Sequence, residues 1–166
     1  MLALALPAAA GGASAPPQPV PPPRQAALAP VALVVDLSAG QTLYARDAQR
    51  SFLPASMTKA MSALVAFDLI KAGKLNEQAV VTVRPQTAQR WAGKGTSLSL
   101  RPGEQVRMGD LLMGMTTVSA NDASVALAEA ALGSTEAWTA AMNARAVRLG
   151  MTGSHFGTPS GWPDRG

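Results

Sequence analysis

The residues best placed to do chemistry are Ser56 and Lys59, in the run Ser56-Met57-Thr58-Lys59 at the start of an apolar helical segment. A serine hydroxyl is a weak nucleophile and needs a base beside it. Residues three apart share one helix face, so the Lys59 amine can approach the Ser56 oxygen. Lysine acts as a base only when deprotonated, which burial or nearby positive charge favours. A helix N-terminus also favours negative charge developing on Ser56. Alone the pattern is weak, because an N-capping Ser followed by a solvated Lys reads the same way. A second element offers Ser119-Ala120-Asn121 in a break between two helical segments. Ser119 could relay a proton, or simply cap the helix that begins near Asp122. Asn121 could hydrogen-bond a substrate amide, or hold Lys59 in place.

Composition narrows the alternatives. The chain has 166 residues with no Cys and one His. Disulfides, thiolate metal sites and cysteine nucleophiles are therefore excluded, and a multi-histidine metal site is too. His155 is the one histidine for a Ser-His-Asp triad, and no partner pattern surrounds it, so a structural role is expected. The net charge is +4, but charged residues make up only 14% and aromatics 4%. That density of charge and stacking groups speaks against a nucleic-acid partner. Gly93-Lys94-Gly95-Thr96 fails the phosphate-loop pattern and reads as a plain loop. The methionines at 57, 61, 108, 113, 115 and 142 fall in helical segments and are expected in the core.

The elements that would position these groups follow from turn and periodicity signals. Leu2 to Ala10 is a short apolar run followed by Ala13-Ser14-Ala15, which predicts an export signal over 1–15. Residues 16–30 carry seven prolines and read as an extended linker. Val31 to Asp36 and Thr42 to Arg46, joined by Ser38-Ala39-Gly40-Gln41, read as an antiparallel hairpin with a buried first strand. A helix is expected over 57–72, closed by Gly73. A short strand is expected over 79–83, a loop holding Arg90 and Trp91 over 84–96, and an extended piece over 97–100. Three helices follow, over 108–115, 122–132 and 135–149. Ser134 is the expected N-cap of the last, with Trp138, Met142 and Leu149 on one face. Strands followed mostly by helices predict an α+β fold.

Ser-x-x-Lys followed by Ser-x-Asn begins the motif set of the penicillin-recognising serine enzymes. Pro54-Ala55-Ser56-Met57-Thr58-Lys59 resembles the nucleophile motif of serine-type D-alanyl-D-alanine carboxypeptidases, the low-molecular-mass penicillin-binding proteins. The stretch from Val118 to Glu129 is similar to their second motif, with Ala120 where Gly is usual. Gly95 to Leu100, Met142-Asn143, His155-Phe156 and Pro159-Ser160-Gly161-Trp162-Pro163-Asp164 extend the resemblance across 31–166.

The resemblance implies a β-lactamase/transpeptidase-like fold, with an antiparallel sheet packed on a helical cluster. It implies two-step acyl transfer on a peptidoglycan stem peptide ending in D-Ala-D-Ala. Ser56 would be the nucleophile, Lys59 its base and Ser119 a relay to the departing D-Ala. Asn121 would contact substrate, and the Ser56 N–H would form half of the oxyanion hole. β-Lactams would acylate Ser56, no metal or organic cofactor is implied, and the location would be the bacterial cell envelope. The family's third motif, Lys-Thr-Gly on a later strand, does not occur; Met151-Thr152-Gly153 lacks the lysine. The expectation is that 31–166 is the N-terminal part of the catalytic domain, with later sheet strands outside the chain. The rival readings are a class A-like β-lactamase, a non-catalytic fragment or peptidoglycan-binding module, and a secreted helical domain with chance motifs. No amphipathic membrane-anchoring segment is visible.

Overall fold

Residue 21 and residues 24–163 are described by the structure, a computed structural model. The expected signal and residues 16–20, 22 and 23 of the proline-rich linker lie outside the described residues. The remainder of that linker departs from the extended backbone expected of it: Arg24–Leu28 forms a 3-10 helix. The proline run stops at Pro23 and the next proline is Pro30, so every residue in between has an N–H to donate.

The described residues divide into two compact units, with the boundary between Ser51 and Phe52. In the first, β1 (Ala32–Asp36) pairs antiparallel with β2 (Gln41–Arg46), with Ala32 opposite Arg46 and a slip between Val34 and Val35. The turn is built locally. The Asp36 carboxylate accepts from the Ser38 N–H at 2.8 Å and the Ser38 hydroxyl at 2.6 Å, and Gly40 adopts φ +63°. The hairpin is as expected, but β1 is not enclosed: Leu33 is 58% exposed and Val34 50%. Two strands alone leave both faces and both edges open.

The second unit is a helical cluster with a second small sheet. A 3-10 turn, Ala55–Met57, runs into α1 (Thr58–Lys71). β3 (Val80–Thr82) leads to α2 (Pro85–Trp91), and β4 (Gln105–Arg107) to α3 (Met108–Thr117). α4 (Asn121–Leu132) and α5 (Thr135–Arg148) complete it. β3 and β4 are antiparallel, with Val80 opposite Arg107. α3 packs on α4, α4 on α5, and α1 on both α3 and α5. Leu111, Met115, Leu127, Trp138 and Met142 lie at the centre of this core, each no more than 1% exposed.

Several expectations change here. α2 occupies part of the stretch read as a loop; Pro85 sits at its first positions, where a missing N–H costs nothing. Trp91 is correspondingly buried and meets Trp162 edge-on at 5.7 Å. Met61, Met108, Met115 and Met142 are core residues, but Met57 and Met113 are exposed. Ser134 caps α5 by accepting from the Ala137 N–H at 3.1 Å. Leu149 lies beyond that helix's last turn and is 48% exposed, unlike Trp138 and Met142.

The extended piece over 97–100 forms no strand; its amides turn to a side chain instead. Asp122, 2% exposed, accepts from the N–H groups of Leu98 at 2.9 Å and Leu100 at 3.1 Å. It also accepts from the Ala123 N–H at 2.8 Å, in the first turn of its own helix. All three partners are donors, so both oxygens must accept. Asp122→Asn turns one oxygen into a donor that faces a buried N–H. It is expected to destabilise the protein by about 2–3 kcal/mol, read as a lower urea midpoint at unchanged slope.

Candidate active site

Ser56 lies on the exposed 3-10 turn that leads into α1. The turn is entered through Ala55 at φ +49°, a left-handed conformation uncommon outside glycine. Ser56 is not a cap: the residue before α1 is Met57, and no side chain caps the helix start. The alternative of an N-capping serine is therefore corrected. The alternative of a solvated lysine is corrected as well, because Lys59 is 4% exposed in the first turn of α1.

The Lys59 amine has three neighbours. Its Nζ lies 3.1 Å from Ser56 Oγ, 2.9 Å from Asn121 Oδ1 and 2.8 Å from the Ser160 carbonyl oxygen. The last two can only accept. A neutral amine has two N–H bonds and one lone pair. An ammonium could donate to all three; in the neutral form, with both protons on Asn121 and Ser160, the lone pair would face the Ser56 hydroxyl. Burial pushes the Lys59 amine below the ordinary lysine value.

Asn121 is the first residue of α4 and is 5% exposed. Its N–H donates to the Thr96 carbonyl at 2.8 Å, and its Nδ2 makes a long 3.5 Å contact with the Lys94 carbonyl. These bonds orient the amide so that Oδ1, the acceptor, points at Lys59. Ser119 precedes the helix at φ +61° and is half-buried. It is not the cap of α4, a position held by Ala120 without a side-chain bond. Among the described residues, Lys59 bonds Ser56, Asn121 and Ser160, and not Ser119.

The sequence put Lys59 on its helix, but it put Asn121 in the break before α4, which Asn121 in fact begins, and it did not mark Ser160 as a partner of Lys59. That carbonyl belongs to a tight turn. The Gly161 N–H donates to Thr158 Oγ1 at 3.0 Å, and the Trp162 N–H to Ser160 Oγ at 3.2 Å. Nothing local in Thr158-Pro159-Ser160-Gly161 announces which carbonyl a distant lysine will meet.

Two cavities, of about 220 and 300 Å³, lie elsewhere and include none of Ser56, Lys59 or Asn121. The first is lined by α2, α4, α5 and residues 157–159, and the second by β3 and α4. The candidate residues gather instead about the exposed Ser56 hydroxyl, through Lys59. Among the described residues no group of three or more His, Asp or Glu side chains is disposed to hold a metal ion.

The sequence pattern of D-alanyl-D-alanine carboxypeptidases matches residues 17–166. The chain belongs to that family. It is 33% identical over 136 residues to the D-alanyl-D-alanine carboxypeptidase DacF of Bacillus subtilis, covering 81% of this chain and 34% of that protein. Penicillin binding protein 5 from Haemophilus influenzae superposes with a TM-score of 0.79 at 30% identity, over 92% of this chain and 42% of that one. Penicillin-Binding Protein D2 from Listeria monocytogenes, solved in an ampicillin-bound form, superposes with a TM-score of 0.70 at 26% identity, over 83% of this chain and 54% of that one. The fold is thus the α+β fold of the penicillin-binding proteins, as expected from the motifs. The chain spans about a third of the length of the curated relatives it matches.

Proposed function

We propose that the protein of this chain is a serine D-Ala-D-Ala carboxypeptidase that trims the terminal D-Ala from peptidoglycan stem peptides. The observation that carries the reading is the Lys59 amine, buried and held by two fixed acceptors, with its remaining valence on Ser56 Oγ at 3.1 Å. In this mechanism Ser56 Oγ attacks the carbonyl of the D-Ala-D-Ala bond as its proton passes to Lys59 Nζ. The tetrahedral oxyanion is met by the Ser56 N–H at the start of the helical turn. Collapse breaks the C–N bond, and the proton reaches the departing D-Ala amine with Ser119 as relay. Water then attacks the ester carbonyl as Lys59 takes its proton, and collapse breaks the C–Oγ bond while Lys59 returns the proton to Ser56 Oγ. Asn121 holds Lys59 through Oδ1 and offers the rest of its amide to the peptide.

The same serine would be acylated by β-lactams, as the ampicillin-bound form of the Listeria relative suggests. The apolar run ending in Ala13-Ser14-Ala15, read as an export signal, supports a location in the bacterial cell envelope. No helix among the described residues is long and apolar enough to cross a membrane.

The test is the intact mass of the full chain after exposure to benzylpenicillin. One adduct is expected, mapped to Ser56 and absent from Ser56→Ala. Release of one D-Ala from an N-acylated peptide ending in D-Ala-D-Ala is expected of the same preparation. Rapid β-lactam turnover without an accumulating adduct would instead identify a β-lactamase. Muropeptide binding that Ser56→Ala leaves unchanged, with no adduct and no D-Ala released, would identify a binding module.

A further inference from the structure

One face of α1 grips two successive carbonyls of a segment about a hundred residues away. Lys59 Nζ donates to the Ser160 carbonyl at 2.8 Å. Ser62, three residues on and therefore on the same face, donates its hydroxyl proton to the Pro159 carbonyl at 2.6 Å. The Ser62 oxygen in turn accepts from the Trp138 indole Nε1–H at 3.1 Å. The indole nitrogen can only donate, so it occupies a lone pair on Ser62 Oγ and leaves the hydroxyl proton for Pro159. Met142 Sδ closes the remaining side at 3.5 Å. Ser62, Trp138, Met142 and Ser160 are all 0% exposed.

We infer that Ser62, oriented by Trp138, is a positioning residue for the Lys59 base, acting through the Pro159–Ser160 peptide. The inference rests on the proposed function. Lys59 faces Ser56 with its lone pair only while the Ser160 carbonyl stays in reach, and that carbonyl belongs to a segment that Ser62 fixes one atom group earlier. Ser62 touches neither substrate nor Ser56. Removing its hydroxyl leaves the Pro159 carbonyl and the Trp138 N–H without their partner in a site closed to water. The segment then gains freedom to shift, and a shift of about 1 Å at a positioned base costs up to roughly 100-fold in rate.

The experiment measures benzylpenicillin acylation of the full chain, resolved into the affinity of the pre-covalent complex and the maximal acylation rate. Ser62→Ala is expected to lower the maximal rate by about 10- to 100-fold and to leave the pre-covalent affinity within about twofold. Ser62→Thr keeps the hydroxyl and is expected to restore most of the rate. Trp138→Phe keeps the ring packing but loses the N–H, and is expected to fall between them. If Ser62→Ala does not fold, the contrast between Ser62→Thr and Trp138→Phe carries the test. A folded Ser62→Ala or Trp138→Phe that acylates at the unmodified rate overturns the inference while leaving the proposed function standing. Equal loss of affinity and rate also overturns it, since that marks a general structural defect. An unmodified chain that takes no adduct at all overturns the proposed function first, and this inference with it.

Discussion

Replacing Lys59 with methionine is expected to slow acylation of Ser56 by benzylpenicillin by about 10²- to 10⁴-fold, the contribution of a positioned general base. The methionine stem fills the channel that the lysine occupies, so the fold should survive. Loss of the amine leaves the Asn121 amide oxygen and the Ser160 carbonyl without their donor, a cost of about 1–3 kcal/mol for each buried group. Against that stands relief from burying an amine that is 4% exposed. Lys59→Arg separates a base from a mere positive charge: a guanidinium keeps its proton in proteins. It is therefore expected to acylate as slowly as Lys59→Met.

The dependence on pH follows from the same amine. Burial holds it below the ordinary lysine value of 10.5. Acylation by the unmodified chain should therefore rise with pH through that lowered value and level off before 10.5. Stability carries a matching sign. Between the lowered value and 10.5 the unfolded chain holds a proton at Lys59 that the folded chain has released. Stability from this group accordingly increases with pH across that window, and is least below the folded value. In Lys59→Met both slopes should disappear, in a stopped-flow acylation series and in urea titrations repeated across pH.

What the sequence reveals and what it hides divides along the range of the interactions. Ser56 and Lys59 are legible because a three-residue spacing fixes their relation before any tertiary structure exists. Ser134 is legible for the same reason, its cap reaching only to Ala137. The second strand pair is half-hidden: β4 has three residues and is defined by its pairing with β3, not by a pattern of its own. α2 is hidden by Pro85, which signals a loop in most contexts yet suits a helix start. Ser62 reads as one polar residue on an apolar helix, and Asp122 as a first-turn acid. Their buried partners, the Pro159 carbonyl and the amides of Leu98 and Leu100, are backbone groups without a residue-type signature. The motifs thus lead to Ser56 and Lys59, but not to the carbonyls and amides packed about them.

Gly161→Ala should show how strictly that backbone frame controls the chemistry: acylation is expected to fall about 100-fold, although the glycine carries no functional group. Gly161 adopts φ +75°, and a Cβ there would run into the Ala55 carbonyl oxygen and crowd Thr58 Oγ1. Ala55 is the residue before Ser56, the proposed nucleophile, and is already held at φ +49°. Something must therefore move. If the Ala55–Met57 turn yields, Ser56 Oγ leaves Lys59; if the 158–162 segment yields, the Ser160 carbonyl does. Either displacement breaks one of the bonds that aim the amine. Stability should fall too, by about 1–2 kcal/mol for the left-handed backbone and a further ~1–3 kcal/mol for overpacking. Gly150→Ala is the matched control. Its φ is +73° and a Cβ there meets nothing within 4 Å. It should show the backbone cost alone, with acylation unchanged at temperatures where it remains folded. If Gly161→Ala instead acylates like the unmodified chain, the two backbones separate without disturbing Lys59, and the Ser160 carbonyl is not what sets the rate. A loss confined to Gly161→Ala, with Gly150→Ala normal, ties the rate to contact between the nucleophile's turn and the segment that holds its base.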